Sequence, residues 1–296
     1  MQLDDPDRSN FVRFFKENFL KLGLRKLIAS CHKEMNNNLF ELQKTGGAYY
    51  CEYDGCETIV TPFSGNGDFR SEECIALLEQ ADVVVTNPPF SLFREFVSQI
   101  VRHHKEFLII GNVNAITYKE IFELIQKNEA WLGVNLGRGI SGFIVPEHYE
   151  QYGTEVRINE DGEKIISTNG CLWLTNLEVN QRHEDISLQK EYFGHEDAYP
   201  KYDNCNGINV NKTQDIPKDY CWLMGVPITF LHKYNPEQFE IVRFRKGDDG
   251  KDLRINGKCP YFRILIKNRR LQASDKAFIS QSVAMPSSYT MALLHN

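Results

Sequence analysis

The 296-residue sequence has no long apolar segment. No run approaches the ~20 residues that a membrane-spanning helix needs, so we expect no membrane partner. The residues after Met1 also lack the basic stretch and the apolar core of a secretory signal peptide. These two absences predict a cytoplasmic protein.

Clustered cysteines are also missing. The eight cysteines are scattered, none forms a C-x-x-C pair, and the closest two, Cys51 and Cys56, have four residues between them. Disulfide frameworks and structural zinc sites are typically recognised by paired cysteines at short, regular spacings. We therefore expect free thiols and no metal.

Positive charge is in deficit over the whole chain, whose formal net charge is −6. This argues against indiscriminate nucleic-acid binding but leaves room for a local basic face. Such a face is indicated in residues 241–270, which hold ten Lys and Arg against three Asp, a net charge of +7.

Helical and strand patterns alternate between Ser71 and Val134. Ser71 is the expected N-cap of a helix, Thr117-x-x-Glu120 has the form of a capping box, and Ser91 is expected to begin the helix between them. The strands between these helices are expected at residues 82–86, 107–111 and 131–134. This alternation predicts a parallel sheet covered by helices.

The start of the chain predicts one helix and one strand. Ser9 or Asn10 is the expected N-cap of a helix from about Phe11 to Leu22, and Lys26–Ser30 (KLIAS) has a strand pattern. A doubly wound sheet needs a further strand before Asp4, where only three residues precede it. We therefore expect a truncated first strand.

The pattern changes beyond residue 135. Val156–Ser167 is expected to form a β-hairpin that turns at Asp161-Gly162, and Cys171–Thr175 to form one more strand. Polar sequence follows, and we place a domain boundary near residue 178. Residues 1–178 are then one domain, and residues 179–296 a smaller, β-rich region.

The tetrapeptide Asn87-Pro88-Pro89-Phe90 ends the valine-rich strand Asp82–Thr86. Neither proline can donate to a sheet, so the strand stops there and a stiff loop follows. Ligands of α/β sheets bind at the carboxyl ends of strands. The Asn87 side chain and the Pro88 carbonyl can each accept a hydrogen from an exocyclic amine, while Phe90 can stack on the ring that carries it. A proline-stiffened turn without a ligand is the alternative.

A second loop, Pro62–Phe69 (PFSGNGDF), contains Gly65-x-Gly67. It imitates a cofactor loop of the form D-P-F-x-G-x-G, with Thr61 in place of the acid. Only 14 residues, Asp68 to Ala81, separate the glycines from the NPPF strand. That length is too short for the intervening strand and helix units, so we favour a simple turn.

Taken together, the chain resembles the EcoRI-type adenine-specific DNA methyltransferases. The resemblance covers most of residues 4–270 and rests on NPPF and on four long runs. These runs are DDPDRSNFVRFFKENFLKLGLRKLIAS, GDFRSEECIALLEQADVVVTNPPFSLFREFV, IIGNVNAITYKEIF and MGVPITFLHKYNPEQFEI. It implies an α/β fold: a Rossmann-like, doubly wound methyltransferase sheet in residues 1–178 and a DNA-recognition region in residues 179–296.

The resemblance also implies an activity, site-specific transfer of a methyl group from S-adenosylmethionine to N6 of an adenine flipped out of double-stranded DNA. Asn87, Pro88, Pro89 and Phe90 would then be catalytic. A cognate restriction endonuclease in the same cell is an expected partner.

Cofactor-binding residues follow from the same resemblance. Asp5, Pro6, Asn10 and Phe11 would belong to the first cofactor loop, and Asp68 with Phe69 to the acidic loop beside the cofactor's adenine. The chain departs from the family pattern in lacking a glycine pair after Asp5-Pro6.

Two alternatives stay open from the sequence alone. In the first, the chain is a catalytically impaired DNA-binding homologue with a short first strand. In the second, it is an NPP-type amino-methyltransferase that acts on RNA or protein. Binding of S-adenosylmethionine separates the first alternative from an enzyme.

Overall fold

A computed structural model of the protein describes residues 9–32, 47–133, 142–149, 155–167, 170–245, 253–260 and 262–271. The chain divides into two compact units, Met1–Glu178 and Val179–Asn296. All eight cysteines are free thiols. Within the described ranges, no helix has the length and apolar character needed to cross a membrane.

The first helix of the described residues is α1, Asn10–Glu17. Ser9 is its N-cap, because the Ser9 hydroxyl accepts a hydrogen bond from the Val12 amide at 3.5 Å. The helix ends at Glu17, before the expected Leu22, which is 47% exposed. The apolar face is continued by Phe19, which is buried past the end of the helix.

A three-stranded antiparallel sheet follows. It consists of β1 (Leu27–Cys31), β2 (Tyr49–Tyr53) and β3 (Thr58–Pro62), in the order β1-β2-β3. The KLIAS segment is therefore a strand, and its described partner is the antiparallel β2. Phe19 packs edge-on against Tyr53 of this sheet, with ring centroids 5.1 Å apart, which ties the segment after α1 to β2.

The helices and strands of the rest of this unit follow in chain order. They are α2 (Glu72–Gln80), β4 (Val83–Thr86), α3 (Phe93–Arg102), β5 (Glu106–Asn112), α4 (Lys119–Gln126), β6 (Trp131–Leu132), β7 (Phe143–Val145), β8 (Glu155–Ile158), β9 (Lys164–Ser167) and β10 (Cys171–Thr175).

The central sheet has the strand order β4-β5-β10-β6. β4 and β5 are parallel, as the alternation of helix and strand predicts. The last strand, β10, enters between β5 and β6 and is antiparallel to both. The sheet is therefore mixed. The two neighbours of β10, which are β5 and β6, run in the same direction.

The helix starts follow the sequence signals only in part. Ser71 caps α2 as predicted, accepting a hydrogen bond from the Cys74 amide at 3.2 Å. The helix expected from Ser91 starts at Phe93 instead, after one 3-10 turn. The predicted capping box is wrong, because the Thr117 hydroxyl donates to the Asn114 carbonyl at 2.8 Å and Tyr118 is the N-cap of α4, without a side-chain bond.

Helix α3 has an aromatic contact with the central sheet. Phe93, in its first turn, is 1% exposed and packs on Gly111 of β5. A Cβ atom at Gly111 would lie 2.7 Å from the Phe93 ring, so only glycine leaves room for it. This contact fixes where the loop between β4 and α3 must end.

Three short strands form a separate antiparallel sheet in the order β7-β9-β8. The predicted hairpin is confirmed as β8 and β9, which pair from Glu155 with Ser167 to Ile158 with Lys164. Gly162 has φ +80° in the turn, a backbone conformation that favours glycine.

The second unit contains β11 (Gly207–Asn209), β12 (Leu223–Val226), β13 (Phe239–Arg245) and β14 (Arg263–Asn268). Their order is β11-β12-β14-β13. β11 is parallel to β12, while β14 is antiparallel to both β12 and β13. Ile264 and Ile266 are fully buried on one face of β14, so its other face carries Arg263, Leu265 and Lys267.

Candidate active site

The NPPF loop lies at the carboxyl end of β4, where the strand stops at Thr86. Asn87 is half-buried and Pro88 is buried, whereas Pro89 is exposed. The Pro89 carbonyl accepts a hydrogen bond from the Leu92 amide at 2.9 Å and so starts the 3-10 turn. Among the described residues, none donates to the Asn87 side chain or to the Pro88 carbonyl. Neither acceptor is therefore occupied by a described residue.

Phe90 and Phe93 have opposite environments although they are three residues apart. Phe90 is 45% exposed, and Phe93 is 1% exposed. The Phe93 amide bonds to the Phe90 carbonyl, so the backbone of Phe90 is held while its ring is directed toward solvent. The aromatic ring in the NPPF loop is accessible to a planar ligand, whereas the core contact is made by Phe93.

The Asp68-Phe69 segment is held on helix α3. The Gln99 side-chain amide donates to the Phe69 carbonyl at 2.8 Å. The Phe69 ring packs edge-on against Phe96, with centroids 5.1 Å apart. Because α3 begins at Phe93, three residues after Phe90, both predicted segments adjoin the same helix.

Arg70 holds the Asp68 carboxylate through three donors. Its Nε and backbone amide bond to Oδ1 at 2.8 and 2.9 Å, and its guanidinium bonds to Oδ2 at 2.6 Å. Arg70 also pairs with Glu95 of α3 at 3.4 Å. The hydrogen bond from Arg70 lowers the pKa of Asp68 from 3.8 to about 2, so the carboxylate stays ionised.

The Asp68 carboxylate can still accept a further hydrogen bond. A carboxylate offers about four acceptor positions, and Arg70 occupies three of them. The remaining position, on Oδ2, suits the exocyclic amine of an adenine ring. The residues present therefore fit the adenine end of S-adenosylmethionine at this loop.

Asn10 and Phe11 lie at the start of α1. Asn10 is exposed, and Phe11 is half-buried with its ring 6.4 Å from that of Trp173 in an edge-on contact. Trp173 belongs to β10, so this contact brings the start of α1 to the central sheet. The other two predicted residues of the first cofactor loop, Asp5 and Pro6, lie outside the described residues.

The sheet register shows how close these groups are. Thr86 pairs with Ile109, and Ile109 pairs with Leu174. Since neighbouring strands are about 4.8 Å apart, Thr86 and Leu174 are roughly 10 Å apart across the sheet. Asn87 and Trp173 each lie one residue further toward the carboxyl end of β4. The NPPF loop and the contact between Phe11 and Trp173 are therefore at the same end of the sheet.

Backbone amides at the start of the Gly65-x-Gly67 segment are already bonded to a side chain of the protein. The Ser64 and Gly65 amides donate to the Glu73 carboxylate at 3.0 and 3.2 Å. These bonds lower the pKa of Glu73. Gly67, at φ +72°, lies so close to the Cys31 carbonyl that a Cβ atom there would be 2.9 Å from its oxygen. This arrangement is that of a packed turn.

Sequence reasoning missed the residues that connect the predicted ones. Arg70, Gln99 and Trp173 were not singled out, although Arg70 follows Asp68-Phe69 directly. An arginine two residues after an acid in a short loop is a signal for such a clamp. Gln99 and Trp173 have no comparable local signal, because they act across 30 residues or more.

The basic segment of the second unit forms the antiparallel pair β13 and β14. Arg243 and Lys267 are exposed, and Arg270 pairs with Asp185 at 2.9 Å. In the part of the chain that is described, no group of three His, Cys, Asp or Glu side chains could hold a metal ion.

Comparison with known proteins gives consistent matches. The family model described as "Adenine-specific methyltransferase EcoRI" matches residues 2–269. The chain is 61% identical over 277 residues to "Type II methyltransferase M.EcoRI" of Escherichia coli, covering 91% of this chain and 85% of that protein. It is 35% identical over 285 residues to "Type II methyltransferase M.MpnI" of Mycoplasma pneumoniae, covering 90% and 86%. No solved structure matches the chain.

Proposed function

The chain belongs to the EcoRI family of adenine-specific methyltransferases, and we propose that it methylates N6 of an adenine in double-stranded DNA, with S-adenosylmethionine as the methyl donor. The observation that supports this most directly is the NPPF loop itself. It presents two carbonyl acceptors and one accessible aromatic ring at the carboxyl end of a parallel strand.

The acceptors suit the chemistry of an amine that reacts poorly. The lone pair of N6 is conjugated with the adenine ring, so the amine is a weak nucleophile. The Asn87 side-chain oxygen and the Pro88 carbonyl each accept one of its two hydrogens, which favours a pyramidal nitrogen with a localised lone pair. Positioning and electrostatics then lower the barrier. No strong base is required, since an alkylated ammonium loses its proton readily.

Phe90 supplies the surface that receives the base. Flipping an adenine out of the duplex costs a few kcal/mol. Stacking on an aromatic ring is worth about 1–3 kcal/mol and offsets part of that cost. The exposed Phe90 ring suits this role, and the buried Phe93 does not.

Residues for the methyl donor lie on the same support. S-adenosylmethionine, when bound, supplies an electrophilic methyl group on its sulfonium. Asp68 would accept from its adenine amine, and Phe69 would line that pocket, while Asn10 and Phe11 with Asp5 and Pro6 would form the first loop. We propose as well that residues 1–178 have a Rossmann-like methyltransferase fold.

DNA binding is assigned to residues 179–296. The exposed Arg243 and Lys267 of the strand pair β13–β14 suit contacts with phosphates, which position a duplex without reading its sequence. The relatives' names, "Type II methyltransferase", describe members of restriction-modification systems. We therefore propose that a cognate restriction endonuclease shares the cell with this enzyme.

Isotope transfer tests the proposal. The protein is incubated with S-adenosylmethionine carrying a labelled methyl group and, separately, with duplex DNA, RNA and protein, and the products are digested and identified by mass spectrometry. We expect label in N6-methyladenine from DNA alone. Label in RNA or in protein glutamine would show that the substrate is RNA or protein and not DNA. Bound cofactor with no transfer would indicate an impaired homologue.

A further inference from the structure

Helix α3 is joined to the loop that contains Asp68 by a hydrogen bond from Gln99. The Gln99 side-chain amide donates to the Phe69 carbonyl at 2.8 Å, across 30 residues of the chain. The Phe69 ring also packs edge-on against Phe96 of α3, with ring centroids 5.1 Å apart. Because the bonded carbonyl belongs to the peptide unit between Phe69 and Arg70, Gln99 acts on the main chain next to the Asp68 carboxylate.

A second residue of α3, Glu95, acts on the arginine that bonds to Asp68. Glu95 lies four residues before Gln99, so the two side chains are neighbours on one side of the helix. Glu95 pairs with Arg70 at 3.4 Å, and the Arg70 guanidinium bonds to the Asp68 carboxylate at 2.6 Å. The same guanidinium lies over the Phe69 ring, 5.3 Å from its centroid. The direction of the Asp68 carboxylate therefore depends on contacts that begin on α3.

The other side of α3 belongs to the core. Phe93 and Val97 are each 1% exposed and Ile100 is 2% exposed. Gln99, in contrast, is only half-buried. The helix is therefore held by apolar packing that does not involve Gln99, and removal of the Gln99 amide should leave α3 in place.

We propose that Gln99 is a positioning residue for the cofactor: by bonding to the Phe69 carbonyl, it keeps the Asp68 carboxylate aimed at the exocyclic amine of the cofactor's adenine. This rests on the proposed function, which assigns Asp68 and Phe69 to that adenine. An ionised carboxylate only accepts hydrogen bonds. It therefore favours an amine at this position of the purine and disfavours an oxygen, which is also an acceptor. Such selectivity requires that the surrounding residues hold the carboxylate in one direction, and the contacts from α3 suit that role.

Calorimetric titration of the full chain with two probes tests the proposal. The probes are S-adenosylhomocysteine, which carries the amine, and S-inosylhomocysteine, in which an oxygen replaces it. The ratio of the two Kd values measures how strongly the site selects the amine. The wild type should prefer the adenosyl compound, and Gln99→Leu should reduce this preference by about 3- to 10-fold, as expected for the loss of one hydrogen bond.

Gln80→Leu is the matched control for Gln99→Leu. Gln80 is an exposed glutamine of α2 whose side-chain amide donates to the Ala76 carbonyl of its own helix at 3.1 Å. The substitution is the same, but it breaks no bond to the loop of Asp68 and Phe69. The ratio of the two Kd values should therefore equal that of the wild type.

Steady-state methylation of DNA gives a second measurement. Gln99→Leu should raise KM for S-adenosylmethionine and keep kcat near the wild-type value, because the bond acts on cofactor binding and not on the amine that is methylated. A lower melting temperature with an unchanged ratio of Kd values would show that Gln99 only stabilises the fold. A fall in kcat with an unchanged ratio would place its effect on the NPPF loop. Either result would overturn the proposal.

Glu95→Gln keeps the test decisive if Gln99→Leu does not fold. The Glu95 side chain is 51% exposed, so its replacement should leave the core intact. Loss of the ion pair with Arg70 should lower the preference for the adenosyl compound by a smaller factor, and an unchanged ratio would then overturn the proposal. A wild type that methylates DNA but binds both probes equally would overturn this inference alone. A wild type that transfers no methyl group would overturn the proposed function itself.

Discussion

Two loops of the first unit each follow a β-strand, but they differ in whether the protein already bonds to their polar groups. The NPPF loop (Asn87–Phe90) follows a parallel strand, and the glycine loop (Phe63–Gly67) follows an antiparallel one. In the glycine loop, Glu73 bonds to the amides that a ligand would use. In the NPPF loop, no described residue bonds to the Asn87 side chain or to the Pro88 carbonyl. A loop can serve as a site only when the protein has not already satisfied its polar groups.

Substitution of Asn87 should give the largest difference between the loops. Asn87→Ala removes one acceptor of the amine, so methyl transfer should fall by much more than tenfold, a loss above about 1.4 kcal/mol in transition-state stabilisation. Stability and DNA affinity should change little, because the side chain lies in a loop. Single-turnover methylation and thermal melting measure the two effects.

Ser64→Ala in the glycine loop is the matched control, and its turnover should equal that of the wild type. An Asn87→Ala variant that keeps more than about a tenth of the wild-type rate would contradict the role given to Asn87.

Substitutions of Phe90 and Phe93 should have different effects, on base binding at Phe90 and on core packing at Phe93. Phe93→Ala should cost about 3–5 kcal/mol of unfolding free energy, because a buried ring is lost. Phe90→Ala should cost little stability and should impair capture of the flipped base. A duplex with 2-aminopurine at the target position reports base flipping by a rise in fluorescence at saturating enzyme. If Phe90→Ala melted far below the wild type and gave the same fluorescence, Phe90 would belong to the core.

Substitutions of Gly65 and Gly67 test whether the glycine loop is only a packed turn or also binds the cofactor. Gly67→Ala should destabilise the fold by about 1–3 kcal/mol, since φ +72° is strained for alanine and the Cys31 carbonyl is close. Gly65→Ala is the control, because its Cβ would meet only the Glu73 carboxylate at 3.7 Å. Chemical denaturation and calorimetric titration with S-adenosylmethionine are the measurements. Weaker cofactor binding in both variants, with unchanged unfolding, would make the glycine loop a cofactor loop.

The smallest effect is expected at Arg70. The pKa of Asp68 is about 2 in the folded protein and 3.8 ordinarily, so the pair adds stability that is fully present above about pH 4 and is lost as the pH falls toward 2. Arg70→Gln should raise the pKa of Asp68 and remove this contribution. The difference in unfolding free energy between wild type and variant should therefore be largest at neutral pH and shrink in acid.

Arg13→Gln, which removes an exposed surface pair with Glu17, is the control for Arg70→Gln. Its small effect on stability should not follow the titration of Asp68. A difference between Arg70→Gln and wild type that stays constant across the acid range would show that the ion pair contributes nothing to folding.

The sequence by itself determined the local features. Prolines that cannot donate to a sheet ended β4 at Thr86, the Asp161-Gly162 turn fixed the hairpin of β8 and β9, and the alternation of helix and strand gave the parallel pair β4 and β5. These features depend on residues close together in the chain, so their cause is visible in the sequence. The capping box at Thr117 failed because a hydroxyl has more than one local acceptor, and here it donates to Asn114.

Only the tertiary structure decided which distant groups meet. The insertion of β10 between β5 and β6, the closure of the glycine loop by Glu73 and the bond from Arg263 to Asn209 all join residues far apart or on different strands. Periodicity shows which face of a strand is buried, but it does not specify the neighbouring strand. The sequence likewise shows which residues can donate or accept hydrogen bonds. Whether those donors and acceptors are already bonded within the protein depends on how the whole unit packs.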